Sequence, residues 1–394
     1  MAKKILVIDD SALMRRVISD IINESNEYEV AAIAKDGLEG LDMIVSNPYE
    51  YSAVILDINM PKLNGLELLQ RLQKDHIEQT VIVVSTVAKE GAKETIQALE
   101  YGAFDFVTKP ENYLETKSVE FKNRIFEMLN VATNSKASIR RTSMSKTTAP
   151  VKKDLKSGRT LTSVTARTER TRSTGITPAP VRTVVHAPAK KVDGSMFTSV
   201  KTGKKKIVAL ACSTGGPKSL QQVIPMLPAK LDAVLVQHMP AGFTASLAAR
   251  LNEMSDINVK EAADGDVIKK GWVYIAPGGK HIRIEKKGTD SVIKLSTEPP
   301  IEGLRPCANV MYESLTSSNY DEITCVVLTG MGADGTNGIK ALNKNHKNIY
   351  VIAQDEETSV VYGMPKAIAG TGLVNEVVPL NRVAEAITKN VGVS

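Results

Sequence analysis

The chain is poor in cysteine, and the few cysteines it has are widely spaced. Its 394 residues hold three cysteines, an odd number with no Cys-x-x-Cys pair. This pattern argues against a disulfide framework and against a zinc site, and it is typical of a reducing compartment. The sequence also lacks a run of about 18 apolar residues that would predict a membrane span. The apolar stretch Ile5–Ile8 is too short for a signal peptide, and we therefore expect a cytoplasmic protein.

Aromatic residues are scarce too, and they are nearly absent where the basic residues concentrate. Residues 135–206 contain 18 Lys and Arg against 3 Asp and Glu, so the rest of the chain is acidic although its total charge is +6. Because the segment 135–203 is rich in Ser, Thr, Ala and Pro and has only Phe197 as an aromatic, it cannot bury enough apolar surface to fold. We interpret it as a flexible basic linker. A solvated spacer is its simplest role, and a patch for acidic partners is the alternative.

The length predicts two or three domains, and the first covers residues 1–134. Short apolar runs alternate there with amphipathic helices, and continuous apolar runs are typical of strands buried in a parallel sheet. Five β/α units of this kind predict a flavodoxin-like (βα)5 domain. The five runs are Lys4–Ile8, Glu29–Ala34, Ala53–Leu56, Val81–Ser85 and Asp105–Thr108.

A second patterned region covers residues 204–394. Apolar strands at 206–210, 234–238, 325–328 and 351–353 predict a doubly wound α/β domain with mostly parallel strands. We expect a β-hairpin region over residues 271–296, with a turn at Lys287-Gly288.

Three aspartates follow predicted strands of the first domain, at the points where the strands end. Asp9 and Asp10 follow the first strand, and Asp57 follows the third. Ligands of such sheets bind beyond the carboxyl ends of the strands, and clustered carboxylates repel unless a cation neutralises them. A helix cap is the simplest role for a single aspartate of this kind, and Asp10 or Ser11 can serve as one. Three together favour an Mg²⁺ site.

Two further residues belong to the same sheet edge. Ser85 closes the fourth strand and Lys109 follows the fifth, so a hydroxyl and an ammonium are available to hold a phosphoryl group on an aspartate. The set resembles the receiver domain of bacterial response regulators over residues 3–130. The resemblance implies that Asp57 accepts phosphate from a histidine kinase and that Asp9, Asp10, Asp57 and the Asn59 carbonyl hold Mg²⁺. It also implies that Ser85 and Lys109 stabilise the phosphoryl group, with Thr86 as the neighbouring hydroxyl, and that Phe106 is the switch aromatic.

A serine in the second domain lies at a predicted turn from strand to helix. Ser213 follows the apolar run Ile207–Leu210 and the pair Ala211-Cys212, and it precedes Gly215-Gly216-Pro217. Small neighbours permit a tight turn, and a helix N-terminus supplies amide donors and positive potential, as in a nucleophile elbow. The pattern is not Gly-x-Ser-x-Gly, because Ala211 occupies the first glycine position. A phosphate-binding loop or a helix cap remains the alternative.

A serine nucleophile needs a base, and this domain offers three histidines. His238 ends a strand at the edge where Ser213 is expected, while His281 falls in the hairpin region and His346 in a polar loop. Asp334, in a glycine-rich loop after another strand, is a candidate orienting carboxylate. Each has a simpler structural role, His238 as a core histidine and Asp334 as a helix cap. Their convergence on one edge favours a catalytic triad.

Several motifs closely resemble the catalytic domain of the chemotaxis protein-glutamate methylesterases, the CheB family. The resemblance implies Ser213 as nucleophile, His238 as general base and then acid, Asp334 as its orienting partner, and the Met331 amide as part of the oxyanion hole. Positions 307 and 309 depart from the family's common Ser and Asp, and Cys212 replaces a small alanine. The motifs are Ser213–Gly216, Gln237–Phe243, Tyr274–Gly278, Leu328–Gly335 and Tyr362–Pro365.

We therefore expect a phosphorylation-activated serine esterase. The resemblance implies that it demethylates glutamate γ-methyl esters on chemoreceptors, deamidates particular receptor glutamines, needs Mg²⁺ only for receiver phosphorylation, and is peripheral to membrane receptor arrays. Its partners would be the receptors and a histidine kinase, and no nucleic acid is expected. The alternatives are a response regulator whose effector domain binds protein or nucleic acid without catalysis, and a hydrolase of the same fold acting on another ester or amide.

Overall fold

The computed structural model describes residues 2–86, 88–110, 118–134, 204–345 and 347–392. The predicted basic linker and the candidate base His346 lie outside the described residues. Residues up to 134 and residues from 204 onward belong to one compact unit. Within the described residues, no helix combines the length and the apolar character needed to cross a bilayer.

The first part of the chain builds a five-stranded sheet in the order β2-β1-β3-β4-β5, and all of its strand pairs are parallel. The central strands β1, β3 and β4 are almost wholly buried, as their apolar runs predict, because helices cover both faces. The flavodoxin-like prediction is confirmed. The strands are β1 Lys3–Ile8, β2 Tyr28–Ala34, β3 Ala53–Asp57, β4 Val81–Ser85 and β5 Asp105–Thr108.

Five helices connect or follow these strands among the described residues. The first begins after Ser11, whose hydroxyl accepts a hydrogen bond from the Met14 amide at 3.3 Å, so Ser11 is the cap of this helix. A capping box of Asn64 and Glu67 opens the third. The helices are α1 Ala12–Asn23, α2 Gly37–Ser46, α3 Gly65–Lys74, α4 Lys89–Glu100 and α5 Val119–Asn134.

The second part of the chain builds a seven-stranded sheet in the order β14-β13-β12-β6-β7-β9-β8, again with parallel pairs throughout. The hairpin β10-β11 packs beside it. The strands are β6 Lys206–Cys212, β7 Asp232–Gln237, β8 Asn258–Glu261, β9 Trp272–Ile275, β10 His281–Lys287, β11 Asp290–Ser296, β12 Glu322–Val327, β13 Asn348–Gln354 and β14 Glu376–Val378. The helices are α6 Gly216–Val223, α7 Phe243–Met254, α8 Ala308–Ser314, α9 Thr336–Lys344, α10 Met364–Ala369 and α11 Val383–Val391.

One strand is placed differently from the prediction. Trp272–Ile275 belongs to the parallel sheet between β7 and β8, with Trp272 opposite Asp232, and not to the hairpin region. The hairpin itself is β10 and β11, and the predicted turn at Lys287-Gly288 is present. The prediction grouped β9 with the hairpin because these segments are adjacent along the chain. In the structure β9 pairs with β7, in which Asp232, the partner of Trp272, lies 40 residues earlier along the chain.

Candidate functional site

The register of the first sheet brings Asp9 and Asp57 to neighbouring positions. Ile8 of β1 pairs with Leu56 of β3, so the next residue of each chain segment is an aspartate. Both carboxylates are buried. The exposed Asp10 joins them, and one carboxylate oxygen from each of the three lies within 4.8 Å of the others. The three predicted aspartates therefore form a single cluster.

Lys109 is the cation of this cluster. Its backbone amide donates to the Ser85 carbonyl at 2.6 Å, which fixes the residue beside β4. Its Nζ lies 3.0 Å from Asp9 Oδ2 and 2.9 Å from Asp57 Oδ1. Burial alone would lower the pKa of Lys109, but the two carboxylates outweigh it and raise that pKa. Burial raises the pKa of Asp57 against the opposing charge of Lys109.

The donor set of this cluster fits Mg²⁺. Its side chains offer three carboxylates, it is open to solvent at Asp10, and one ammonium leaves a net negative charge among them. Mg²⁺ prefers oxygen ligands and keeps several waters, so a partly open site of this composition suits it. Asp9, Asp10 and Asp57 are the residues that would hold the ion.

Ser85 and Asn59 lie at the same edge, but other groups engage their side chains. The Ser85 hydroxyl contacts the Gly91 carbonyl at 3.2 Å and accepts from Thr95 Oγ1 at 2.6 Å. Asn59 donates its side-chain amide to Glu94 at 3.0 Å. The contacts of Ser85 and of Asn59 connect this edge of the sheet to helix α4.

The second sheet places Ser213 at the carboxyl end of β6. The Ser213 amide donates to the Thr329 carbonyl at 3.0 Å, and its carbonyl accepts from the Gly216 amide at 2.7 Å. Gly215 has a φ of 76°, which a glycine adopts without strain and which turns the chain into α6. A Cβ on Gly330 would lie only 2.7 Å from the Ser213 Cβ, so the close approach of these two loops requires glycine there.

His238 lies opposite Ser213 in the next strand segment, because Cys212 pairs with Gln237 in the β6-β7 register. Its ring contacts the predicted carboxylate: His238 Nε2 and Asp334 Oδ2 are 2.8 Å apart. This arrangement leaves Nδ1 as the nitrogen available to Ser213. The structure thus brings together the three predicted residues. Among the described residues, the hydrogen bond of the His238 ring is the one to Asp334.

Asp334 is buried and is surrounded by donors from one loop. It accepts the amides of Ala308 at 2.6 Å and Asn309 at 2.9 Å, and the Cys307 thiol lies 3.2 Å from its Oδ1. Burial opposes ionisation, yet the hydrogen bond and charge of His238, with the amides of Ala308 and Asn309, hold the pKa of Asp334 below its usual range. An ionised carboxylate is what an imidazole needs in order to gain a proton.

Gln237 is a functional candidate to which the sequence reasoning assigned no role. Its side-chain amide donates to the Ser213 carbonyl at 3.1 Å and to the His238 carbonyl at 3.2 Å. Its Oε1 accepts from the Cys212 thiol at 3.0 Å. A buried glutamine at a strand end was the available signal, because such an amide requires partners. Gln237 holds the backbones of the nucleophile and base candidates together.

The loop that carries Met331 lines the same cavity as Ser213 and His238. The backbone hydrogen bonds of this loop involve Gly330, Gly363 and Met364, and leave the Met331 amide without a protein acceptor among the described residues. A free amide at this place is what an oxyanion site requires. His281, by contrast, is fully buried with Nε2 3.1 Å from the Pro299 carbonyl, so this histidine belongs to the core.

The cavity at Ser213 has a volume of about 530 Å³, and both sheets contribute to its walls. Strand β5, residues 105–108, and residues of α5 face Ser213, His238 and the Met331 loop across it. The rings of Phe106 and Phe243 are 4.5 Å apart between their centroids. The first domain therefore covers the serine site in this structure.

Two charged residues of the first domain lie at this contact. Arg250 on α7 forms a bidentate ion pair with Glu100 at the end of α4, with N–O distances of 2.6 Å and 3.2 Å. Asp105 is buried against the nucleophile turn, and burial raises its pKa to about 6 although the polar groups of Phe106, Thr214 and Gly215 oppose the rise.

Comparison with known proteins agrees with this geometry. A family model described as the CheB methylesterase matches residues 208–387, and one described as the response regulator receiver domain matches residues 5–118. A protein from Oceanobacillus iheyensis named protein-glutamate methylesterase/protein-glutamine glutaminase is 37% identical over 98% of this chain and 97% of its own length.

A second relative with the same name, from Pyrococcus horikoshii, is 38% identical over 98% of this chain and 93% of its own length. The crystal structure of the Thermotoga maritima CheB methylesterase catalytic domain is 39% identical, covers 48% of this chain and 100% of its own, and gives a TM-score of 0.46. The full-length similarity extends across both sheets and both sites. The chain belongs to the CheB methylesterase family, whose members join a receiver domain to an esterase domain.

Proposed function

We propose that this chain hydrolyses γ-methyl esters of glutamate on chemoreceptor helices, deamidates particular receptor glutamines by the same chemistry, and is activated by phosphorylation of Asp57. The observation that carries the proposal is the convergence of Ser213, His238 and Asp334 on one sheet edge, with a 2.8 Å contact between the imidazole and the carboxylate. The names of the full-length relatives support this substrate class.

In the proposed reaction, Ser213 Oγ attacks the ester carbonyl carbon while His238 takes the hydroxyl proton. The Met331 amide stabilises the oxyanion that forms, and ionised Asp334 stabilises the imidazolium. The intermediate then expels methanol, which leaves with the proton held by His238. Water, activated by His238, hydrolyses the acyl-enzyme to release the glutamate carboxylate and to restore Ser213. With a glutamine substrate, ammonia leaves in place of methanol.

The receiver site would accept the phosphoryl group on an Asp57 carboxylate oxygen. Bound Mg²⁺, held by Asp9, Asp10, Asp57 and the Asn59 carbonyl, would offset the negative charge of the phosphoryl oxygens. Lys109 already contacts Asp57 and would turn to those oxygens, and the Ser85 hydroxyl would join it. The donor is a histidine kinase in this proposal. We place the reaction in the cytoplasm, which three free thiols support.

Activation would follow from release of the receiver. Residues 105–108 and α5 cover the serine cavity, so a receptor helix reaches Ser213 only when they move. Phe106 belongs to β5, the strand that Lys109 follows, and its ring centroid is 4.5 Å from that of Phe243, so it would link the two sites. Phosphorylation adds charge at Asp57 and thereby biases the docked and released states.

The experiment is methanol release from methylated receptor membranes, with and without a small phosphodonor and Mg²⁺. Wild type is expected to respond to the donor, Ser213→Ala to release no methanol under either condition, and Asp57→Asn to keep basal release without stimulation. Donor-stimulated release by Ser213→Ala would contradict the assigned nucleophile. No release from wild type would favour another ester or a non-catalytic effector.

A further inference from the structure

We propose that Cys307 and Asn309 are positioning residues of the esterase, and that together they hold Asp334 in the orientation in which it supports His238. The inference rests on the proposed function for its chemistry. It rests on separate observations for its geometry, because neither side chain lies at the reacting atoms.

The first observation is the complete hydrogen bonding of Asp334. Five donors converge on its two oxygens: the His238 ring, the Cys307 thiol, and the amides of Ala308, Asn309 and Gly335. A carboxylate has about four lone-pair sites, so these five donors occupy its full accepting capacity in this orientation. The rotation of Asp334 about its side-chain bonds is therefore fixed by the 307–309 loop.

The second observation concerns the Cys307 side chain. It is buried, and its Sγ lies 3.2 Å from Asp334 Oδ1. Burial, followed by the Asp334 charge, raises the pKa of this thiol to about 12. Cys307 therefore stays protonated at neutral pH and donates to the carboxylate. A thiol is a weak donor, so it orients Asp334 while withdrawing little of its negative charge from His238.

The third observation is that Asn309 caps a helix to which it does not belong. Helix α9 begins after Gly335, which has a φ of 92° and no side chain to cap it. The Asn309 Oδ1 accepts from the Gly335 amide at 3.0 Å and from the Gly338 amide at 2.8 Å instead. Since Asp334 directly precedes this cap, the Asn309 side chain fixes the backbone on which the carboxylate is carried.

Cys307 contacts the carboxylate of Asp334 and Asn309 fixes its backbone, so substitutions of the two residues should affect His238 differently. Asn309→Asp keeps a capping oxygen but adds a negative charge near Asp334, which favours the imidazolium form of His238. Cys307→Ala removes a donor that orients Asp334, so the contact of the carboxylate with His238 loosens and the imidazolium form is stabilised less. Cys307→Ser restores a donor at the same place. Cys325→Ala is the matched control, because Cys325 is an equally buried free thiol whose Sγ is 3.9 Å from the Ile323 carbonyl and does not contact Asp334.

The test is a pH titration of the His238 ring signals by NMR in the ¹⁵N-histidine-labelled full chain, assigned with His238→Gln. We expect Asn309→Asp to move the titration midpoint upward by about half a unit to one unit, and Cys307→Ala to move it downward by a few tenths of a unit. Cys307→Ser and Cys325→Ala should keep the wild-type midpoint. The acid limb of kcat/KM for methanol release should move with these midpoints.

An unchanged or raised midpoint in Cys307→Ala would overturn the inference, and so would an unchanged midpoint in Asn309→Asp or an equal shift in Cys325→Ala. The NMR readout does not depend on turnover, so the inference can fail while methanol release succeeds, or hold while the substrate proves to be a different ester. Circular dichroism at each pH confirms that the variants are folded. The two conservative replacements keep the test valid even if the alanine variant unfolds.

Discussion

The ion pair between Glu100 and Arg250 should set how often the serine site opens without phosphorylation. Glu100 is 16% exposed and Arg250 38% exposed at the side chain, and two N–O contacts join them. Because Arg250 is partly solvated, we assign the pair about 1 kcal/mol of docking free energy, near the top of the range for exposed pairs. Glu100→Gln should then raise the released fraction, and with it basal methanol release, about fivefold.

The assay is basal methanol release without phosphodonor, measured at low and high salt. The increase should shrink at 1 M salt, where the pair is screened in wild type as well. Asp75→Asn is the matched control, because the Arg71–Asp75 pair has an N–O distance of 2.7 Å but joins α3 to its own C-cap residue. In the charge-swapped double variant Glu100→Arg/Arg250→Glu, release should return toward the wild-type rate. Basal methanol release at the wild-type rate by Glu100→Gln would refute the reasoning. Basal release by the double variant as fast as that by Glu100→Gln would refute it too.

Three further results are expected. Gly330→Ala should lower stimulated methanol release by roughly 10²-fold while circular dichroism stays native, because its Cβ would displace Ser213; a variant with full activity would show that the close approach is not required. The pKa of Asp105 is about 6 in the docked protein, whereas a solvated carboxyl has a pKa of about 4. Docking of the two domains, measured by interdomain fluorescence transfer, should therefore strengthen as the pH falls from 6 to 4. The domains of Asp105→Asn should dock equally at both pH values. Lys109→Met should keep basal release and lose its stimulation by phosphodonor, as should wild type in EDTA; stimulation that persists in EDTA would contradict an Mg²⁺-dependent receiver.

The sequence predicted those parts of the site that lie at strand ends. In parallel sheets, register and strand direction bring such residues to one edge, and this is why Asp9 lies beside Asp57 and Ser213 beside His238. The apolar runs predicted the strands correctly because a strand that is covered on both faces has no polar face to interrupt its apolar pattern. Their proposed catalytic roles stay predictions.

The supporting residues could not be read in the same way. Gln237, Cys307 and Asn309 act through hydrogen bonds that cross from one strand or loop to another, and no periodicity marks such contacts. The ion pair of Glu100 with Arg250 joins residues 150 positions apart, on helix surfaces where charged residues are common. Whether a surface charge is solvated or paired depends on how the domains dock, and a linear pattern carries no information on docking.

The shared lining of the cavity has a consequence for what the docked protein can do. Residues 105–108 and α5 form one wall of the cavity of about 530 Å³ at Ser213. If the receiver covers the site as proposed, a receptor helix would reach Ser213 only after these elements move, while a small ester such as p-nitrophenyl acetate would enter beside them. The docked state would then differ in its activity toward small and large substrates. The ratio of the protein's rates on a small ester and on a receptor therefore measures the docking equilibrium independently of the chemistry at the serine.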